Sequence, residues 1–164
     1  MQQKPTSKEF DITPDFQPII QYDSGPTDPE RIIVMGDTTV MAELKGPGTW
    51  VWDSTFDAAP LCFSQLSILR KKINNGYPSM LYALLPNKTD RTYERIVAVI
   101  SELVPEASPS KILLDFEQGP IKHFQRGFPG AVIALCYFHL TQSMVARLVN
   151  LAIRIASVVT GSGT

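Results

Sequence analysis

Short hydrophobic runs separated by polar turns occupy the middle of the chain. Three apolar, β-prone runs follow one another: "WVWDSTF", "LCFSQLSIL" and "SMLYALL". This succession is typical of an antiparallel meander of strands. Before it, "RIIVMG" predicts a short strand, and "TTVMAEL" predicts a short helix that ends at a Gly-Pro-Gly breaker.

The pattern changes to a helical period in "DRTYERIVAVISELVP". We expect a helix there, capped by Thr89 or Asp90 and ended by Pro105. Its apolar residues share one helical face: Tyr93, Ile96, Val97, Ile100, Leu103 and Val104.

The remaining sequence alternates between strand and helix patterns. "KILLDF" and "AVIALCYF" predict buried strands, and "GPIKHFQRG" predicts a short helix between them. An amphipathic stretch over residues 141–159 predicts a last helix that would cover one face of the sheet. The resulting order, βββαβαβα, predicts an α/β fold with a mixed sheet and helices packed on it, and the ribonuclease H-like fold has this order.

Length and composition fit one globular domain with its own core. The chain has 164 residues, of which 44% are hydrophobic and 19% charged. No stretch has the length of a transmembrane helix, and the N-terminus lacks a secretory signal, so we expect an intracellular protein, nuclear or cytoplasmic. Five of the 13 prolines fall in the first thirty residues, which predicts an extended or disordered lead-in over residues 1–30.

Charge is unevenly distributed along the chain. The net charge of -1 gives no bulk argument for nucleic-acid binding. Residues 1–48 hold 8 acids and 4 bases, residues 49–110 hold 6 and 6, and residues 111–164 hold 2 and 5. No Asp or Glu follows Glu117, so the last third is locally cationic.

Two acids, Asp115 and Glu117, stand directly behind the predicted strand "KILLDF". An Asp at this place is either a turn or helix cap or a ligand for a cation. Glu117 either complements the dipole of the following helix or assists as a base. The basic run Arg70 to Lys72 is interpreted as a solvated hairpin tip, with contact to a phosphate backbone as the alternative.

Several motifs occur together in one order: D-x-T-F, P-x-x-F-x-Q-L, Y-A-L-L-P-N-K-T followed by T-Y, D-F-E, and C-x-F-H-L. In this order, across residues 31–147, the chain resembles the transposase domain of Mutator-like elements (MULE). The resemblance implies a ribonuclease H-like domain that cuts and joins DNA with three acids (a DDE site) and divalent metal. Asp53 in D-x-T-F and Asp115 in D-F-E match the first two acids. The implied cofactor is Mg²⁺ or Mn²⁺, and the implied partner is DNA.

Cys136 and His139 form a C-x-x-H motif that could ligate zinc or serve a structural role. A closed zinc site needs two further ligands, and the only other Cys and His are Cys62 and His123. We expect core packing for Cys136, a hydrogen-bonded or DNA-proximal position for His139, an exposed His123 and reduced cysteines.

The chain departs from the family in its last part. There the third acid is a Glu downstream of the C-x-x-H motif, whereas here no acid follows Glu117 and residues 148–164 are a divergent helical tail. We therefore expect a partial domain, truncated at its C-terminus, with weak metal and DNA binding and no turnover by itself. The alternative is a transposase-derived, non-catalytic protein that binds DNA or a protein partner. Self-association stays open as well, whereas a membrane or a small-molecule substrate is not expected.

Overall fold

The fold is a mixed α/β arrangement, seen in a computed structural model that describes residues 7–56, 58–115 and 117–135. Within these ranges the chain forms a seven-stranded mixed sheet. Its strands are β1 (Ile20–Asp23), β2 (Ile33–Met35), β3 (Thr49–Thr55), β4 (Gln65–Lys71), β5 (Ser79–Leu85), β6 (Lys111–Leu114) and β7 (Val132–Leu135). The helices are α1 (Thr38–Met41), α2 (Asp90–Leu103) and α3 (Gln118–Gly127), with 3-10 helices at Pro14–Ile19 and Ala42–Leu44.

The strand order across the sheet is β1-β2-β5-β4-β3-β6-β7. The predicted meander is confirmed, because β3, β4 and β5 pair in antiparallel fashion. After α2 the chain returns to the sheet as β6, which lies parallel to β3, and β7 continues parallel to β6. β3 is therefore a central strand, and its carboxyl end lies at the same edge of the sheet as that of β6.

One face of the sheet carries the main core. Trp50 and Trp52 alternate with more exposed residues along β3 and are buried, as the period of a strand requires. The ring of Trp52 lies 5.1 Å from that of Phe124 on α3, and the ring of Trp50 lies 5.0 Å from that of Phe128. A smaller cluster on the other face is built around Ile33, Phe63 and Leu84.

Helix α2 begins where the sequence predicted. Thr89 is its N-cap, and the Thr89 side chain accepts a hydrogen bond from the backbone amide of Thr92. The predicted apolar face packs into the main core. Helix α3 approaches α2 closely at Gly127, where an added Cβ would lie only 2.3 Å from Cγ1 of Val97.

The first thirty residues contain a strand that was not predicted. β1 pairs with β2 and adds to the edge of the sheet. Arg31 ties this region together, because its Nε and Nη2 donate to the two carboxylate oxygens of Asp23 at 2.8 and 2.6 Å. Its Nη1 donates to the carbonyls of Lys8 and Phe10. These contacts are long-range, so local sequence pattern does not reveal them.

The prediction of a solvated hairpin tip at Arg70 to Lys72 was wrong. Arg70 and Lys71 belong to β4, and Lys71 is buried. Strand alternation turns Lys71 toward the covered face, where its Nζ donates to the carbonyls of Glu43 at 2.6 Å and Lys45 at 2.9 Å. These carbonyls lie at the end of a helical turn, where backbone acceptors lack helical partners.

Three predictions of the sequence analysis fall outside the described residues: the C-x-x-H motif of Cys136 and His139, the helix over 141–159 and the tail over 148–164. Within the described ranges, no helix is long and apolar enough to cross a membrane.

Candidate functional site

The first predicted acid, Asp53, lies in the second half of β3. It pairs across the sheet with Ile68 of β4, and both side chains are partly exposed. Alternation along β3 places Asp53 on the face opposite the buried Trp52. A central strand paired on both sides is a rigid support for a functional side chain.

Asp115, the second acid, directly follows β6, the parallel neighbour of β3. The register pairs Thr49 with Lys111 and Val51 with Leu113. Asp53 and Asp115 each stand two residues beyond the last of these pairs, so they occupy corresponding positions on neighbouring strands. Adjacent strands lie about 4.8 Å apart, and the fold therefore brings the two predicted acids to one edge of the sheet.

Glu117 is the N-cap residue of α3, but its carboxylate does not cap the helix. Instead Oε1 accepts a hydrogen bond from Nζ of Lys88 at 2.7 Å, and Oε2 accepts one from the hydroxyl of Tyr93 at 3.0 Å. Glu117 thus makes two specific side-chain contacts at the start of α3, and its interaction with the helix dipole stays a prediction.

Lys88 connects Glu117 to the end of β3. Its Nζ lies 3.8 Å from the ring centroid of Phe56, which follows β3 and is 47% exposed. Lys88 is itself about half exposed. A cation over an aromatic ring thus stands beside the acids, at an edge of the sheet that solvent can reach.

Tyr93 connects the site to the core. It is buried on α2, and Nε2 of the buried Gln65 on β4 donates to its hydroxyl at 3.3 Å. Burial raises the pKa of Tyr93, and the negative charges of Glu117 and Asp115 raise it further, against the opposing hydrogen bond from Gln65. The phenol therefore stays protonated and can serve as a donor to Glu117.

A family model for the MULE transposase domain matches residues 49–143, which is more than half of the chain. The chain belongs to the MULE transposase domain family. The match begins at the first residue of β3 and includes both Asp53 and Asp115. No curated protein matches this chain.

The candidate metal ligands of this MULE domain are carboxylate oxygens. Among the described residues no group of three or more His, Cys, Asp or Glu side chains is arranged to hold a metal ion. What the sheet contributes is the pair of Asp53 and Asp115 on adjoining strands. Carboxylate oxygens on rigid strands are ligands that Mg²⁺ and Mn²⁺ accept, so these two residues fit such ions.

The histidine and cysteine of the described ranges do not join these acids in a group that could hold a metal ion. The prediction of an exposed His123 was wrong, because α3 turns this residue toward α2 and buries it. Its Nε2 lies 3.6 Å from Oδ1 of Asp90, the first residue of α2. Cys62 is half-buried beside the smaller core cluster and forms no disulfide.

Sequence reasoning missed the roles of Tyr93, Gln65 and Lys88 around Glu117. Tyr93 lies on the apolar face of α2. The helical pattern therefore predicts core packing for its ring and does not indicate that its hydroxyl forms hydrogen bonds. The T-Y motif did mark Tyr93, and Lys88 lies in the N-K-T motif. Both motifs were therefore signals for a site beyond the two aspartates.

Proposed function

We propose that this chain is a DDE-type DNA transposase catalytic domain with a ribonuclease H-like architecture, specialised for phosphodiester cleavage and strand transfer. The observation that carries the proposal is the placement of Asp53 and Asp115 at corresponding positions on paired, parallel strands. Within a family of transposase domains, two such carboxylates support a cation site at this edge of the sheet.

The strand order supports the ribonuclease H-like architecture. Strands β5, β4 and β3 form an antiparallel meander, and β6 and β7 extend it in parallel on the far side of β3. This is the arrangement that the order βββαβαβα predicts. β1 and β2 are additions at the β5 edge.

Asp53 and Asp115 would hold Mg²⁺ or Mn²⁺. When bound, such ions activate a water or a 3′-hydroxyl and stabilise the leaving oxygen of a phosphodiester. The chain's own contribution is rigidity at β3 and the contacts that hold Glu117, two residues after Asp115. Lys88 is an accessible positive charge beside this edge and is suited to contact a DNA phosphate.

The two matched acids are Asp53 and Asp115, so we propose weak metal binding by this chain alone. Two carboxylates leave much of the coordination shell of Mg²⁺ to water, and affinity is low as a result. The engagement of both Glu117 oxygens by Lys88 and Tyr93 favours a second candidate function, a transposase-derived protein that binds DNA or a protein partner without catalysis.

Titration of the full chain with Mn²⁺, followed by paramagnetic broadening of NMR signals, tests the proposal. We expect broadening centred on β3 and the end of β6, mostly lost in Asp53→Asn and in Asp115→Asn. Asp15→Asn is the matched control, because Asp15 lies in the first 3-10 helix beside the β1 edge. Unchanged broadening in both site variants would rule out the metal site.

DNA binding separates the two candidate functions. Fluorescence anisotropy with labelled duplex DNA in EDTA reports binding that needs no metal. A DNA affinity that is the same in EDTA and in a buffer with Mn²⁺ instead of EDTA, and that Asp53→Asn does not change, favours the non-catalytic protein. Affinity that Mn²⁺ strengthens, and that Asp53→Asn makes insensitive to Mn²⁺, favours the catalytic domain.

A further inference from the structure

We propose that Tyr93 is a positioning residue that fixes the loop between Asp115 and α3 by holding Glu117, an inference that rests on the proposed role of Asp115 as a metal ligand. The loop is short, since only one residue separates Asp115 from Glu117. Any device that holds Glu117 therefore restricts where Asp115 can lie.

The hydroxyl of Tyr93 is held on both sides. It accepts a hydrogen bond from Nε2 of Gln65 at 3.3 Å and donates one to Oε2 of Glu117 at 3.0 Å. Tyr93 is 2% exposed and Gln65 fully buried, so water does not compete readily for the contact between them. A hydrogen bond from a buried hydroxyl to a carboxylate is charge-assisted and is among the stronger kinds.

The ring of Tyr93 holds the first turn of α3, which directly follows this loop. A Cβ added at Gly119 would lie 2.3 Å from Cδ2 of the Tyr93 ring, so the ring rests directly on the backbone of the first turn of α3. Only a residue without a side chain permits this approach. Tyr93 thus contacts the loop through its hydroxyl at Glu117 and the first turn of α3 through its ring at Gly119.

The contacts of Glu117 favour a positioning role over a role as third metal ligand. Both of its oxygens are engaged, one by Nζ of Lys88 and the other by Tyr93. Among the described residues Glu117 does not form a three-acid cluster with Asp53 and Asp115. Lys88 balances the negative charge of Glu117, and Tyr93 orients the Glu117 carboxylate.

The test compares Tyr93→Phe with the wild-type chain by Mn²⁺ titration and NMR broadening. Phe keeps the ring against Gly119 and removes only the hydroxyl. Loss of a hydrogen bond to a charged group predicts an Mn²⁺ affinity about ten-fold weaker. The matched control is Tyr77→Phe, since Tyr77 is an exposed tyrosine between β4 and β5. It should bind Mn²⁺ like the wild type.

Amide hydrogen exchange without metal tests the positioning role independently of the metal site. In Tyr93→Phe the amides of Asp115, Glu117 and Gly119 should exchange about ten-fold faster, with core strands unchanged. Glu117→Gln keeps an acceptor oxygen for the Tyr93 hydroxyl and should accelerate exchange less than Glu117→Ala. Wild-type exchange rates in Tyr93→Phe overturn the proposal. If the wild-type chain fails to bind Mn²⁺ while exchange responds as expected, the metal site fails and the positioning role stands.

Discussion

Two regions of the sheet use carboxylates in different ways. At the β1 edge, Asp23 meets Arg31 through two hydrogen bonds, and Arg31 is 1% exposed. At the carboxyl ends of β3 and β6, Asp53 and Asp115 are partly exposed, and Glu117 is shared between a tyrosine hydroxyl and an accessible lysine. The first arrangement joins segments of the chain, and the second groups carboxylates at the ends of neighbouring strands.

A second pair strengthens the contrast. Nη2 of Arg95 on α2 donates to Oδ2 of Asp28 at 2.6 Å, and Nη1 donates to the carbonyl of Glu30. Together with Arg31, this arginine ties the segment before β2 to the rest of the domain. The comparison teaches that an acid paired with an arginine that also binds backbone carbonyls is structural, whereas acids grouped at the ends of neighbouring strands are candidates for ligand binding.

Removal of Arg31 should have the largest effect on stability. Arg31→Met leaves Asp23 and two backbone carbonyls without their buried donor, and breaking such a pair costs about 3–5 kcal/mol of unfolding free energy. Urea unfolding at neutral pH measures the loss. The exposed pair of Lys45 and Glu106 is the control, since Glu106→Gln should cost less than about 1 kcal/mol. Equal losses of unfolding free energy in Arg31→Met and Glu106→Gln would contradict the structural role of the Arg31 pair.

Alanine at the two tight glycines should separate stability from metal binding. The added Cβ of Gly119→Ala would press on the Tyr93 ring and that of Gly127→Ala on Val97, at 2.3 Å in both cases. Each substitution should therefore cost about 1–3 kcal/mol through overpacking. Only Gly119→Ala should also weaken Mn²⁺ binding, because Gly127 lies at the far end of α3. Thermal melts and Mn²⁺ titrations of both variants check this, and equal Mn²⁺ affinities would count against the loop's role.

Low pH should destabilise the segment before β2 by protonating Asp28. Burial opposes its ionisation, but hydrogen bonds from Ser24 and Arg95 outweigh it and lower the pKa of Asp28 from 3.8 to about 2. A folded pKa below the unfolded one stabilises the protein above pH ~4, and this stabilisation is lost as the pH falls toward ~2. Because solvent screens part of the interaction, Asp28→Asn should remove on the order of 1–2 kcal/mol of that pH dependence in urea titrations. Asp15→Asn should leave it intact, and the same pH profile in Asp28→Asn would show that the pair contributes little.

Much of the sheet could be predicted because its strands follow local rules. The bounds of β5 match "SMLYALL" residue for residue, and α2 is capped by Thr89, one of the two expected caps. β1 could not be predicted, because its pairing depends on β2 and on the long-range contacts of Arg31 rather than on its own pattern. β4 also begins later than its apolar run and continues into Arg70 and Lys71.

The candidate site was predictable only in part, for the same reason. The motifs and the element order together placed Asp53 and Asp115 on neighbouring strands, which the pairing of β3 with β6 bears out. The partners of Glu117 come from α2 and from the loop after β5, so these contacts depend on the tertiary structure and not on local sequence. His123 is buried because α3 packs on α2. A polar residue in a short helix gives no sign of this packing in the sequence.

The strand pairing of β5 has a consequence for aggregation. The family match begins at Thr49, so β1 and β2 lie outside it, yet β2 covers the edge of β5 by pairing Ile33 with Leu84. A chain that began at Thr49 would leave the apolar strand β5 with a row of open backbone donors and acceptors, ready to recruit the same strand from another molecule. The segment before β3 thus keeps neighbouring molecules from pairing with β5, and the contacts of Arg31 hold this segment in place.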